Sequence, residues 1–502
     1  MHCIAFGEAG MIEVWREIAV AAPLACLVAV LADAFALPRG RMSLPLRSPG
    51  GTVVLVLAAM LVYALALILT GAPVVSGVVV AALFGAFALI SNIKRRVLGE
   101  PLVFTDFALI GAVFQQPQFY LTALRPVQVV VLAGGVAGLF IILAALSNLD
   151  LAARLAGLGL GLIAGGGIAA ALRHIDFSAS NDVPDPDHDV MRHGLVPCLL
   201  AHWYAWRHTA DPEPCQLPPI AGASRQLVVI VQCESFTDPA VLLGDPVLLL
   251  PGLEAARRGA FQHGRLMVSG FGAYTMRTEF GVLFGRGEDM LGTRRFDPFL
   301  TARGEASHAL PNRLDRSVWT SWFVHPHDMR FYGRDRLMPE AGFDRLVGED
   351  AFDPPAPGEG RYVTDAAVAD RIINLAEQDS AGASLIYAVT IENHGPWPPG
   401  DADAAHSAAP YLKLLGRSDA MLARLMDALP GIGRPTILCF FGDHRPSIPG
   451  ASEPGTERHT PYVLIRYSAD GTPMPGSAAE CDLTPAELHH AILDAICLGR
   501  AE

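Results

Sequence analysis

Apolar positions follow two rhythms along this chain, and the rhythm changes once. Before about residue 174, Ala, Val, Leu, Ile and Gly run almost unbroken in long stretches. Crossing a bilayer as a helix takes about 20 such residues. Five stretches qualify: Ile18–Leu37, Thr52–Thr70, Pro73–Ile93, Val127–Leu146 and Leu151–Leu172. From about residue 224, short apolar runs alternate with segments of helical spacing. Gln226–Cys233, Ser317–Val324, Ala383–Ile391, Thr436–Phe441 and Tyr462–Tyr467 are continuous runs, as expected of buried parallel strands. Tyr411–Leu429 and Pro485–Leu498 carry helical spacing. The pattern predicts an α-helical transmembrane bundle over 1–174 and a linker with an interfacial helix over 175–223. It predicts a doubly wound α/β domain over 224–502. No cleavable signal peptide is evident, so the first span is expected to act as the anchor, with Met11 as an alternative start.

The linker opens on Asp182-Val183-Pro184-Asp185-Pro186-Asp187-His188-Asp189. It lacks the central Gly and closing Glu of a calcium loop, so it reads as a solvated acidic linker. Leu195–Trp206 follows, apolar with aromatics. It is expected to lie in the membrane interface or to pack under the next domain.

Composition narrows the partners. The formal net charge of −13 sits mostly in the second half, which argues against nucleic acid. Eight cysteines are scattered without C-x-x-C or zinc-finger spacing. Cys26, Cys233 and Cys439 fall in apolar runs and read as buried thiols. Cys198 with Cys215, or Cys481 with Cys497, are the pairings open to an oxidising compartment. Arg39, Arg41 and Arg47 follow the first span, and Lys94, Arg95 and Arg96 follow the third. The last three read either as a solvated basic loop or as an interfacial segment on lipid phosphates. The positive-inside rule puts both loops in the cytoplasm. With five spans the second half would then be cytoplasmic, unless a segment within Leu102–Leu124 re-enters the membrane.

Polar chemistry follows the predicted strands directly. Gln226–Cys233 runs into Glu234-Ser235-Phe236, Ala383–Ile391 into Glu392-Asn393-His394-Gly395-Pro396, and Thr436–Phe441 into Gly442-Asp443-His444. In open α/β sheets the site lies beyond the carboxyl ends of strands. Glu234, His394, Asp443 and His444 are therefore expected in one crevice. Thr275 follows the Gly-rich turn Gly270-Phe271-Gly272 and starts an apolar, helix-like run. A hydroxyl at a helix N-terminus is poised to ionise. Two carboxylates, an imidazole and a hydroxyl oxygen suit Zn²⁺ or Mn²⁺. A metal on Thr275 would also activate a poor nucleophile.

On these motifs the chain resembles the lipoteichoic acid synthase and phosphoglycerol transferase family, within the alkaline phosphatase and sulfatase superfamily. The resemblance rests on Glu234-Ser235-Phe236, Thr275 with Glu279-Phe280, Asn393-His394-Gly395-Pro396 and Gly442-Asp443-His444. It implies a sulfatase-like catalytic domain with one divalent metal, Mn²⁺ first and Zn²⁺ or Mg²⁺ as alternatives. Glu234, Thr275, Asp443 and His444 would be the ligands. It implies Thr275 and His394 as catalytic residues, and His325, Arg334 and His394 as the substrate-binding set, with the two histidines as proton carriers. The implied donor is a membrane phospholipid such as phosphatidylglycerol, and the acceptor an envelope glycan or polymer. The implied location is the inner membrane, multi-pass, with the catalytic domain periplasmic, against the positive-inside count. Ala273-Tyr274-Thr275-Met276-Arg277 departs from the Gly-Lys-Thr-Ser-Asp-like pattern of the lipoteichoic acid enzymes. That leaves a phosphoethanolamine transferase, or a hydrolase of phosphate or sulfate esters, as the alternative. The Cys-x-Pro-x-Arg signature of formylglycine sulfatases is absent around Thr275.

Overall fold

The computed structural model describes residues 2–39, 47–109, 126–174, 183–221, 225–356, 358–378, 382–397, 408–476 and 480–499. The chain divides into two compact units, Met1–Thr209 and Ala210–Glu502.

The first unit is helical. Its long helices are α1 (His2–Ala34), α2 (Pro49–Thr70), α3 (Pro73–Leu98), α4 (Pro126–Leu146) and α5 (Leu151–His174). Four segments among the described residues are long and apolar enough to cross a membrane: Ile12–Ala34, α2, α3 and α5. The remaining predicted stretch, Val127–Leu146, falls within α4. Small buried side chains, among them Ala22, Ala25, Ala29, Ala58, Ala59 and Ala153, let the helices close on one another. At Gly157 a Cβ would stand 2.9 Å from the Ala64 carbonyl oxygen, so α2 and α5 meet at a distance only glycine permits. The outward faces carry exposed Leu24, Leu89, Leu162 and Ile163, the surface a hydrocarbon layer would cover.

The stretch expected as a linker contributes two helices to this unit, α6 (Pro186–His193) and α7 (Leu195–His208). Asp185 caps α6 by accepting from the amides of Asp187 and His188. Asp33, at the end of α1, caps α7: its Oδ1 accepts from Leu195 N at 2.9 Å and Val196 N at 3.2 Å. Val196 and Ala201 then enter the helical core. The acidic run is not simply solvated, because Asp189 is buried with its Oδ2 2.9 Å from His202 Nε2. Two members of the basic cluster are also tied into the protein. Lys94 Nζ reaches Asp106 Oδ2 at 2.5 Å, and Arg95 holds both Asp187 oxygens at 2.9 Å. The re-entrant segment expected within Leu102–Leu124 lies mostly outside the described residues.

The second unit is built on a seven-stranded sheet. Its strands are β1 (Leu227–Cys233), β2 (Gln262–Met267), β3 (Trp319–Val324), β4 (Arg345–Val347), β5 (Ala383–Val389), β6 (Thr436–Gly442) and β7 (His459–Tyr467). They lie in the order β2-β7-β6-β1-β5-β3-β4. β1 is central and pairs in parallel with β5 and β6, and every one of its side chains is buried. β7 runs antiparallel to β6, against the sequence expectation of a parallel strand. The reason is the connection. Residues 443–458 contain no helix, and a parallel return needs a crossover segment. β2 and β4 escape the apolar pattern because β2 is half-polar and exposed at the edge, and β4 has three residues.

Parallel pairing brings the carboxyl ends of β1, β5 and β6 to one edge. Cys233 is opposite Gly442, and Gln232 opposite Val389. β2, twice reversed through β7, ends at the same edge with Met267 opposite His459. The end of β6 and the turn after β1 converge tightly there: a Cβ on Gly442 would stand 1.8 Å from the Phe236 carbonyl oxygen. Helix α8 (Thr275–Phe284) is buried along its whole length, and α9 (Ala409–Ala428) covers the core of one face. Helix α10 (Pro485–Leu498) opens on a capping box of Thr484 and Glu487. Cys26, Cys233 and Cys439 are buried thiols as expected. Neither proposed disulfide forms, since Cys198, Cys215, Cys481 and Cys497 are all free.

Candidate metal centre and active site

Four side chains meet where β1, β6 and α8 converge. Glu234 leaves β1, Asp443 and His444 leave β6, and Thr275 opens α8. All four are buried. The backbone is bent to present them. Ser235, after Glu234, has φ 52°, and Tyr274, before Thr275, has φ 77°. Left-handed backbone at a non-glycine residue costs of order 1–3 kcal/mol and collects at functional sites.

Each ligand candidate is oriented by a second bond. His444 Nδ1 donates to the Arg445 carbonyl at 3.1 Å, which leaves the Nε2 lone pair facing inward. Asp443 Oδ1 accepts from the amides of Ser235 and His444, both at 2.8 Å. Asp443 Oδ2 is buried without a hydrogen-bond partner. Glu234 Oε1 accepts from Ser235 Oγ at 2.9 Å. His444 Nε2 stands 3.5 Å from Glu234 Oε1, 3.5 Å from Asp443 Oδ2 and 3.5 Å from Thr275 Oγ1.

These separations fit a divalent cation. Ligand bonds of about 2.0–2.2 Å in tetrahedral array place neighbouring ligand atoms roughly 3.4 Å apart. Glu234, Asp443 and His444 form a cluster with metal-ligand spacing. Burial, then the Asp443 charge, pushes the Glu234 carboxyl well above its ordinary range. A cation between the two carboxylates reverses that penalty. Asp443→Asn and Glu234→Gln, each deleting one anion, should lower retained divalent metal at least ~10-fold, read by elemental analysis after desalting. Unchanged metal content in both variants would refute the ligand assignment.

Helix α8 carries a second arrangement one turn on. Thr278 Oγ1 donates to the Asp443 carbonyl at 2.7 Å and pins the helix to the end of β6. Glu279, four residues after Thr275, receives Arg334: Nε to Oε1 at 3.0 Å and a terminal nitrogen to Oε2 at 2.5 Å. The other guanidinium nitrogen donates to His325 Nε2 at 3.1 Å, and His325 Nδ1 donates to the Val389 carbonyl at 3.0 Å. Arg334 and His325, expected to meet the substrate, are thus buried in one connected set. Both ring nitrogens of His325 are engaged, which fits an orienting part better than the expected proton transfer. Burial, then the charge of Arg334, pushes the His325 imidazole well below its ordinary value. Burial likewise raises the Glu279 carboxyl, while Arg334 pulls it back. The Arg334 charge also reaches Glu234 and favours its ionised form.

His394 stands after β5, with Nδ1 donating to the Gly395 carbonyl at 2.7 Å. Burial pushes its pKa down to about 4, so the ring is neutral at pH 7 with its other nitrogen a base. The Tyr362 ring lies 5.9 Å from it, and Arg361 lies over Tyr362 at 4.4 Å. Sequence reasoning missed Arg361 and Tyr362, which belong to no strand-end motif. It saw Glu279 only as part of the motif after Thr275. The four-residue spacing on one helix face was the signal that could have given Glu279 its place.

A mixed, mainly parallel sheet with a divalent-metal candidate at its carboxyl edge, facing a hydroxyl at a helix start, defines the alkaline phosphatase superfamily type of enzyme. The chain belongs to the sulfatase family, whose model matches residues 226–495. It is 32% identical over 412 residues to the capsular polysaccharide biosynthesis protein RkpI of Rhizobium meliloti, covering 76% of this chain and 75% of that one. It is 26% identical over 236 residues to a putative cyclic beta-1,2-glucan modification protein of the same organism, covering 44% of this chain and 36% of the relative. Its fold is shared with the lipooligosaccharide phosphoethanolamine transferase A of Neisseria meningitidis, an integral membrane protein. The TM-score is 0.53 at 13% identity, over 94% of this chain and 95% of that one.

Proposed function

We propose that this is a membrane-anchored, metal-dependent transferase. It moves the phospho-headgroup of a phospholipid, glycerophosphate from phosphatidylglycerol in the first instance, onto an envelope glycan. One observation carries the reading: Thr275 Oγ1 stands 3.5 Å from His444 Nε2, and that nitrogen stands 3.5 Å from the unpartnered Oδ2 of Asp443. Glu234, Thr275, Asp443 and His444 would hold the ion, Mn²⁺ before Zn²⁺ or Mg²⁺. When bound it would lower the pKa of the threonine hydroxyl and neutralise phosphoryl oxygens. Thr275 Oγ1 attacks phosphorus, its proton passes to the diacylglycerol oxygen as the P–O bond to it breaks, and the headgroup phosphate remains as a threonine ester. An acceptor hydroxyl then displaces Thr275. Neutral His394 accepts the proton from that hydroxyl, and a proton returns to Thr275 Oγ1 as its bond to phosphorus breaks. His325 and Glu279 fix Arg334, whose charge stabilises the centre from behind. The relative named for capsular polysaccharide biosynthesis supports a glycan as the acceptor class.

Mass spectrometry of the Thr275 peptide tests this. With phosphatidylglycerol as sole lipid it should gain one glycerophosphate. A gain only with phosphatidylethanolamine would replace the donor by that lipid and favour the phosphoethanolamine transferase reading. No adduct with either lipid would remove the covalent route.

The reading also places the second unit outside the inner membrane, facing the periplasm. Cys481 is exposed and free, so it reports on this directly. An impermeant maleimide should label it in cells whose inner membrane is intact. Labelling only after that membrane is opened would put the unit in the cytoplasm, where envelope glycans are out of reach.

A further inference from the structure

The turn after β1 is tied down through three polar groups of one residue. Ser235 donates its amide to Asp443 Oδ1 at 2.8 Å and its hydroxyl to Glu234 Oε1 at 2.9 Å. Its carbonyl accepts from the Tyr411 hydroxyl at 2.9 Å. The first two bonds end on candidate metal ligands. The third comes from a side chain 176 residues away, in the first turn of α9. Tyr411 belongs to no strand-end motif, and the transfer chemistry makes no direct use of it.

Ser235 needs holding. Its φ of 52° is left-handed, which costs a serine an amount comparable to what one hydrogen bond contributes. The hydroxyl bond ends on the neighbouring residue and moves with the turn. The Tyr411 bond does not, because Tyr411 is fully buried in the core of one face of the sheet. Its ring meets Trp397 edge to face, with centroids 5.2 Å apart. Trp397 Nε1 donates to Asn393 Oδ1 at 3.1 Å, and a Cβ on Gly395 would stand 3.0 Å from the Trp397 ring. The same two rings therefore brace the loop that carries His394. Burial, before the nearby Cys233 and Asp443, pushes the Tyr411 phenol well above its ordinary value, so it remains a donor.

We propose that Tyr411 is a positioning residue of the metal centre. Its hydroxyl holds Ser235 left-handed, and through Ser235 it keeps Glu234 and Asp443 at the spacing that a divalent ion requires. The inference rests on the metal-dependent reading of the site and is independent of which headgroup is transferred. Without that hydroxyl the Ser235 carbonyl is buried with its donor gone, and the turn relaxes toward right-handed backbone. Glu234 then leaves the set for part of the time. The apparent metal affinity falls in proportion to the fraction of molecules in which the set stays assembled.

The test is calorimetric, on the full chain in detergent micelles, stripped with a chelator and titrated with Mn²⁺. Tyr411→Phe keeps the ring against Trp397 and should weaken Mn²⁺ binding about tenfold, the scale of one hydrogen bond lost from a buried acceptor. Ser235→Gly is the second variant, because glycine takes left-handed backbone without strain. Adding Tyr411→Phe in that background should change binding by less than about twofold, so the two substitutions are non-additive. A tyrosine that only fills space would lower the melting temperature alike in both backgrounds and leave Mn²⁺ affinity alone. Unchanged affinity in Tyr411→Phe, or an equal loss in both backgrounds, would overturn the proposal. If Tyr411→Phe alone does not fold, the Ser235→Gly pair decides: a full tenfold loss there overturns it as well, and near-equal affinities support it. No Mn²⁺ binding by the parent would overturn the metal-dependent reading itself. Non-additive binding without any Thr275 adduct would remove covalent transfer and leave the role of Tyr411 standing.

Discussion

Thr275→Ala should reduce donor turnover by at least ~10⁴-fold and abolish the covalent adduct, with the fold unchanged. The size follows from losing a nucleophile outright: removing one from a working catalytic set costs factors of this order or more. Stability should move little. Thr275 Oγ1 lies 3.5 Å from His444 Nε2, and Ala has the better helix propensity. Thr275→Ser keeps the hydroxyl and should keep measurable turnover. The measurement is diacylglycerol release beside a thermal melt of each variant. Parent-level release from the alanine variant, with its melt unchanged, would mean that another group attacks phosphorus.

The sequence made much of this centre legible because the motifs sit at strand ends. A fully buried strand announces itself as an apolar run, and Glu234 and Asp443 follow two of them without an intervening residue or after a single glycine. Thr275 was legible through the turn before its helix. The direction of β7 was not, since an apolar run looks the same whichever way it travels. Nor were the partners of Arg334. The family resemblance marks Arg334 as a substrate-binding residue, but it says nothing of burial: Arg334 is 1% exposed with its guanidinium on Glu279 and His325. Those partners lie 55 and 9 residues away, and no periodicity reports such a meeting. A helix within 175–223 was open to the sequence, but the cap on α7 was not, because it comes from Asp33, on another helix.

Glu279→Ala is the second large expectation. It should destabilise the second unit by about 3–5 kcal/mol, because it leaves a buried guanidinium without its counter-charge. A melt of the full chain should shift by roughly 10 °C. The pair itself is a different matter. Two charges taken from water cost nearly what their attraction returns, so replacing both by apolar residues of similar volume is often neutral. Glu279→Leu with Arg334→Met should therefore recover most of the lost stability. That double variant separates two roles. If the pair only packs, the recovered protein turns over donor normally. If the Arg334 charge supports the centre, it is stable and slow, with metal content reduced less than in Asp443→Asn. A Glu279→Ala melt identical to the parent's would show that Arg334 is neutralised elsewhere.

Gly442 has a bearing on how relatives of this chain are judged. Its missing side chain lets the end of β6 pass the Phe236 carbonyl at a distance no Cβ could occupy. The following two residues supply a carboxylate and an imidazole to the centre. A homologue could keep every ionisable residue of the set and still be a pseudoenzyme, if a larger residue at this one position pushed its Asp-His pair away from the glutamate. Screening such families for lost activity should therefore score the glycine ahead of the acids and histidines, because a silent catalytic set can hide behind an intact list of ligands.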